Sequence, residues 1–282
     1  MSWSELSDPY AFEFFRNGVY VATIAGALCG LVGCYVVLRN MSYIGHGLSH
    51  AIFGGYAAAG LIGVNLFLGA GIWGVVTALA IGGIVRRRPI GSDAAIGVVT
   101  TASFALGIAL VERYGSPGRS ADALLFGNIL GVKSSDVWLV VGVSMVAVAF
   151  IALAYRPLLF TTFDAEVAEV TGVRTTLIDT ALMVVLAATV LATMNVMGVT
   201  LIAATLVVPA VVARMLTDSF AVMLAIATLV GSISGFAGMN ISYHLDLPSG
   251  STIVLVGTMF FLIAFVAGGH LRRRAGTVAH AH

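Results

Sequence analysis

Residues 18–38 form the stretch GVYVATIAGALCGLVGCYVVL, which contains no charged side chain. About 20 apolar residues are enough for a helix to cross the hydrocarbon core of a bilayer. Arg16 and Arg39 flank the stretch, so the charges lie at its two ends. The stretch therefore predicts a membrane-spanning helix, and it fixes the class of fold for the rest of the chain.

Similar apolar segments follow along the whole chain, separated only by short polar loops. They predict an all-α polytopic membrane protein with eight or nine transmembrane helices, the lower number applying if one segment lies at the membrane surface. We expect residues 18–271 to form one transmembrane domain, residues 1–17 an extracytoplasmic segment, and residues 272–282 a cytoplasmic tail. The predicted spans are 18–38, 43–63, 65–85, 94–112, 136–155, 176–194, 197–216, 220–241 and 252–271.

Composition excludes other classes of protein. The chain is 59% hydrophobic and 10% charged, whereas an ordinary soluble domain has about 25% charged residues. Its net charge is +1, so nothing indicates a nucleic-acid partner. We expect membrane lipid to surround the chain, and no polar stretch is long enough to form a soluble catalytic domain.

The arginines predict the orientation in the membrane. With nine spans, ten basic residues fall on one side and four on the other, and the richer side is expected to face the cytoplasm. The N-terminus is then outside and the C-terminus inside. The richer side includes Arg39, Arg86, Arg87, Arg88, Arg156, Arg174, Arg214, Arg272, Arg273 and Arg274.

Two histidines interrupt the apolar pattern in MSYIGHGLSH, residues 41–50. His46 and His50 are four residues apart, so they share one face of a helix and both imidazoles can reach one ion. Counted from Arg39 at 1.5 Å per residue, they lie about 10 and 16 Å deep. Ionisable side chains at membrane depth suggest a functional site. The residues alone leave two interpretations open: a metal site, or histidines hydrogen-bonded to their neighbours.

A polar loop, residues 160–175, follows the fifth span. Asp164 can cap a short helix that begins at Ala165, and Gly172 can end it. Such an amphipathic helix can dock a soluble partner or simply connect two spans. The chain has no phosphate-binding loop, because its single lysine, Lys133, lacks the required glycine spacing. Any ATPase must be a separate protein, and we expect no enzyme activity in this chain.

Six colinear motifs resemble the permease subunits of bacterial ABC importers for manganese, zinc or iron, the ABC-3 metal-permease family. The resemblance covers nearly the whole chain and implies the fold of such permeases. The motifs are VLRNMSYIGHGLSHAIFGG (37–55), SDAAIGVVTTASFALGIAL (92–110), LLFGNILGV (124–132), FDAEVAEVTGV (163–173), MGVTLIAATLVVPAVVARML (197–216) and SYHLDLPSGSTIVL (242–255).

The resemblance implies a function and partners. It implies a plasma-membrane importer that consists of several proteins. The partners of this chain would be two cytoplasmic ATPase subunits, an extracytoplasmic metal-binding protein and a second permease copy, in a homodimer or a pair of similar permeases. It implies no permanently bound cofactor. The short loop helix resembles the family's coupling helix, which rests in a groove of the ATPase. The residues expected to couple are Asp164, Ala165, Glu166, Val167, Ala168, Glu169, Val170 and Gly172.

His46 departs from the family pattern, which usually has aspartate at this position and a histidine four residues later. The resemblance implies that His46 and His50 contact the transported metal. Imidazole suits zinc and carboxylate suits manganese, so the sequence favours zinc over manganese. Further candidates for the path or its outer mouth are Asp93, His244 and Asp246.

Three alternatives differ in what they require. A divalent-cation transporter that works without an ATPase would need no partner, but the spans lack a chain of acidic residues. A permease for a metal chelate, such as a siderophore or a corrinoid, would need no direct metal ligands. A membrane-embedded zinc hydrolase would need an H-E-x-x-H pattern, which the sequence does not contain.

Overall fold

The computed structural model describes residues 8–87, 91–114 and 132–279, and within these ranges it is helical. A 3₁₀ turn over Asp8–Ala11 precedes eleven α-helices, which we number in chain order. They are α1 (Glu13–Leu38), α2 (Ile44–Ile62), α3 (Leu66–Arg87), α4 (Ser92–Tyr114), α5 (Ser134–Leu153), α6 (Tyr155–Phe163), α7 (Ala165–Val170), α8 (Thr175–Met197), α9 (Ile202–Leu216), α10 (Phe220–His244) and α11 (Ser249–Ala279).

Each of the nine predicted spans coincides with a helix, and seven of these are long and apolar enough to cross a membrane. The other two are α2 and α9. The histidines and glycines of α2 lower its mean hydropathy. Helix α9 has only 15 residues because Gly198, at φ 75°, ends α8 and the following residues form a turn. The last helix continues to Ala279, so most of the predicted tail is helical.

Helix α1 is the centre of the bundle. Two thirds of its most apolar window is buried, and it packs against α5, α8, α9 and α10. Its contact with α10 is very close, because the two backbones meet at small residues. A Cβ added to Gly30 would lie well under 3.0 Å from the carbonyl oxygen of Ala227, and one added to Gly26 would lie equally close to that of Gly231. These helices leave no room for a side chain between their backbones.

Helix α2, which holds both histidines, lies beside this centre. It packs mainly against α3 and α4 and also contacts α8 and α9. It is continuous from Ile44 to Ile62, so its glycines allow close helix approach and do not unwind it. The turn of residues 39–43 separates it from α1. Most of the predicted motif at 124–132 lies outside the described residues.

Candidate metal-transit site

The two histidines face each other across one turn of α2. Their ring centroids are 4.4 Å apart, with the ring planes inclined by 78°. His46 is exposed and His50 is half-buried. The hydroxyl of Ser49 donates a 2.8 Å hydrogen bond to the carbonyl oxygen of His46. The predicted sharing of one helix face is therefore realised, with both imidazoles close enough to bind one ion together.

His50 has a ring nitrogen for which the described residues supply no partner. Its imidazole packs edge-on against Phe104 of α4, with ring centroids 4.6 Å apart. The Nδ1 atom is buried, and no hydrogen-bond partner is found for it in the part of the chain that the structure describes. Buried polar atoms nearly always have a partner, so this nitrogen is suited to a ligand from outside the chain. Imidazole nitrogen is a common ligand for divalent transition metals.

The wall behind the pair is held by a chain of hydrogen bonds through three helices. Trp73 Nε1 of α3 donates to Ser103 Oγ of α4 at 2.6 Å, and that hydroxyl donates to the carbonyl oxygen of Ala51 at 3.2 Å. One turn further along α2, the backbone at Gly54 lies directly against that of Ser103. These contacts fix the position of α2, and with it the backbone positions of both histidines.

The position of the pair along the helix differs from the sequence estimate. That estimate counted from Arg39 as if one helix continued, but residues 39–43 form a turn and α2 begins at Ile44. Counted from Ile44, His46 is about 3 Å and His50 about 9 Å into the helix. The pair therefore lies in the first half of α2.

The described part of the chain contains no cluster of three or more His, Cys, Asp or Glu side chains that could hold a metal. The remaining candidates lie on other elements than α2. Asp93 is exposed in the first turn of α4, eleven residues or about 16 Å along that helix from Phe104. At the end of α10, His244 has a buried Nε2 with no partner among the described residues, and Asp246 is exposed.

The polar loop forms the short helix that the sequence predicts. Asp164 Oδ1 accepts a 2.9 Å hydrogen bond from the backbone N–H of Val167, which caps α7. At the other end Gly172 has φ 80°, and Val173 N–H donates to the carbonyl of Ala168 while Gly172 N–H donates to that of Glu169. This is a Schellman motif, so the ends of α7 are at the predicted residues.

One face of α7 packs against neighbouring helices, and the opposite face is exposed. Ala168 is fully buried, in a helix that contacts α6 and α8. Phe163, Val167 and Val170 are exposed, and Val170 is 89% exposed. The surrounding Glu166 and Glu169 are exposed as well. An apolar centre with a charged rim is typical of a protein-binding surface.

A partly buried ion pair between Arg39 and Asp179 was not predicted. Arg39 Nη1 donates to Asp179 Oδ1 at 2.6 Å, with the two side chains 11% and 29% exposed. From the sequence, Arg39 only marks the membrane edge. A signal was present, because Asp179 is an acidic residue inside a predicted span, and such residues are usually paired or functional.

A bundle with seven helices of membrane-spanning length, together with a capped amphipathic helix, defines a multi-span membrane protein. The model of the ABC 3 transport family matches residues 11–268, so the chain belongs to that family. It is a permease subunit, as the six motifs implied.

Relatives and a solved structure agree. The chain is 38% identical over 255 residues to the manganese transport system membrane protein MntC of Halalkalibacterium halodurans, covering 90% of this chain and 87% of that protein. It is 30% identical to the chelated iron transport system membrane protein YfeD of Yersinia pestis, covering 94% and 89%. A chain of PsaBC from Streptococcus pneumoniae in complex with Fab superposes with TM-score 0.83 at 34% identity, covering 94% of this chain and 95% of that one.

Proposed function

We propose that this permease imports divalent transition-metal ions in an ATP-driven complex, and that the ion passes the His46–His50 pair. The observation that supports this most strongly is the buried Nδ1 of His50, which has no partner among the described residues. The ring centroid of His50 is 4.4 Å from that of a second imidazole, His46. Two protein ligands leave positions for water or for a group of a second copy. Binding is then transient, whereas four protein ligands would trap the ion.

The importer needs partners and a direction. Two cytoplasmic ATPase subunits would bind α7, an extracytoplasmic binding protein would deliver the metal, and a second permease copy would complete the path. The distribution of arginines supports an extracytoplasmic N-terminus and a cytoplasmic C-terminus in the bacterial plasma membrane. The exposed apolar side chains of α7 support docking, since the described residues leave Val167 and Val170 uncovered.

The choice of metal has two lines of support that favour different ions. Several relatives are named for manganese, while His46 supplies an imidazole where the family usually has a carboxylate. Replacing an oxygen ligand by nitrogen weakens manganese relative to zinc. We therefore propose that this chain has a higher zinc-to-manganese uptake ratio than a permease with aspartate at this position.

The substitution His46→Asp tests this proposal. We expect manganese uptake to rise relative to zinc uptake in vesicles with the reconstituted complex, because a carboxylate and a negative charge are restored. Uptake of both metals is measured with ATP and with ADP. His46→Asn is the matched control, since it supplies an oxygen without the charge. An identical metal ratio in all three proteins would assign selectivity to the binding protein.

The cap of α7 gives a second test. Asp164→Ala removes the hydrogen bond to Val167 N–H, and loss of such a cap costs about 1 kcal/mol. We expect the ATPase to bind about fivefold more weakly if the ordered helix is the docking element. Asp164→Asn keeps the cap and should bind like the wild type. Equal affinity of the alanine variant and wild type would contradict docking through α7.

A permease for a metal chelate is the second candidate, favoured by the relative that is named for chelated iron. A chelate surrounds its metal, so the path would need no direct ligands. In that case both histidines could be replaced without loss of uptake. An ATPase-independent cation transporter would instead take up metal when the chain is reconstituted alone.

A further inference from the structure

Arg39 makes three partly buried polar contacts. Besides the bond from Nη1 to Asp179, Nη2 donates to Thr161 Oγ1 at 2.7 Å and Nε donates to Thr162 Oγ1 at 3.1 Å. Each nitrogen of the guanidinium therefore has its own acceptor. Only arginine offers donors in such a rigid planar fork, so the contact fixes a direction as well as a charge.

The three acceptors belong to two different elements. Asp179 is in the first turns of α8, whereas Thr161 and Thr162 lie at the end of α6. Thr162 is two residues before Asp164, the cap of α7. Arg39 thus holds the end of α6 against α8. A displacement of α7 that carries the end of α6 with it would move the two threonine hydroxyls or break their bonds to the guanidinium.

Arg39 is also tied to the histidine helix. It is the C-cap residue of α1, and the next residues form a compact turn in which Asn40 has φ 54°. Met41 N–H donates to the carbonyl of Val36, and Ile44 N–H donates to that of Met41. Met41 is 8% exposed and Ile44 is fully buried. The turn is therefore short and hydrogen-bonded at both ends, and it joins Arg39 directly to α2.

We propose that Arg39 is a positioning residue that couples the docking helix α7 to the histidine helix α2. The proposal rests on the proposed function, because it assigns α7 to the ATPase. A residue that only marked the membrane edge would need no contact with the element that precedes the docking helix. The two threonine contacts instead join Arg39 to the element that the ATPase would push.

The double substitution Thr161→Val and Thr162→Val tests this link. It removes both hydroxyls at nearly unchanged shape and leaves the Arg39–Asp179 ion pair intact. In the complex with its ATPase, we expect the metal ions moved per ATP hydrolysed to fall about tenfold, within the range typical of coupling between sites. ATP hydrolysis itself should continue, because no nucleotide site is touched.

A second readout does not depend on the cargo. His46→Cys places a thiol on the exposed histidine position, and the native Cys29 and Cys34 are fully buried and contribute little background. We expect ATP with vanadate to change the labelling rate of this thiol in the complex that carries only the His46→Cys substitution. In the double threonine variant the nucleotide should leave the rate nearly unchanged.

The controls separate the link from general damage. Arg214→Gln breaks an exposed ion pair with Asp218 and should leave both readouts unchanged. Arg39→Lys keeps the charge for Asp179 but loses the planar fork, so it should also lower the number of metal ions moved per ATP hydrolysed. It serves as the test if the double variant fails to assemble.

The inference is overturned if the double variant keeps both the wild-type number of metal ions per ATP and the nucleotide-dependent labelling. If the double variant does not assemble, the same result for the lysine variant overturns it. If the wild-type complex moves no metal, but labelling of the His46→Cys complex depends on nucleotide and on the two threonines, the proposed cargo is refuted and the coupling role of Arg39 is supported.

Discussion

His50→Ala is expected to reduce ATP-dependent metal uptake at least tenfold. His50 is one of only two imidazoles on this face of α2, and its Nδ1 has no protein partner among the described residues. Loss of groups that merely orient a metal ligand typically costs about 10–100-fold, so loss of a ligand should cost no less. Uptake of zinc and manganese into vesicles, at equal amounts of assembled complex, measures the effect.

The control for this variant is at the far end of the same helix. Ile62→Ala shortens a side chain that is 75% exposed, so it should leave uptake near the wild-type level. If His50→Ala transports both metals normally, the ion does not use this pair. A chelate permease would then explain the family membership and the tolerated substitution together.

Gly30→Ala is expected to destabilise the folded permease, although alanine is the better helix former. The added Cβ would lie 2.7 Å from the carbonyl carbon of Ala227 and closer still to its oxygen. Both are backbone atoms, so the side chain cannot rotate away and α10 must shift. Overpacking of this kind costs about 1–3 kcal/mol. Thermal unfolding of the purified protein in detergent should show a lower midpoint.

Gly83→Ala is the matched control, because an added Cβ there meets nothing within 4 Å. It should leave the unfolding midpoint unchanged or raise it slightly, as helix propensity predicts. Equal midpoints for the two alanine variants would mean that α1 and α10 do not pack as closely as described.

The sequence predicts what depends on one segment at a time. Apolar length predicts the helices, and Asp164 and Gly172 predict both ends of α7, because capping uses neighbouring residues. The spacing of His46 and His50 predicts their shared face. The match to the ABC 3 family confirms the permease assignment that the six motifs implied. The involvement of the pair in transport stays a prediction.

Contacts between distant segments were beyond the reach of one sequence. Nothing in the sequence of α2 predicts that Phe104 packs on His50. Nothing near Arg39 predicts that it pairs with Asp179, which is 140 residues away. The turn after Arg39 was not foreseen, because it has no proline or glycine to reveal it. Asn40 makes this turn by adopting a left-handed conformation, which asparagine tolerates better than most residues.

The central place of α1 has a consequence for the order of synthesis. Its closest partner, α10, leaves the ribosome about 200 residues later, roughly 10–40 s at 5–20 residues per second. Throughout that interval the groove at Gly26 and Gly30 faces lipid or the insertion machinery without its native cover. The core of the nascent chain therefore stays incomplete until the last quarter of the chain is inserted. A premature stop codon after α8 would leave the first helix without its closest neighbours, α9 and α10.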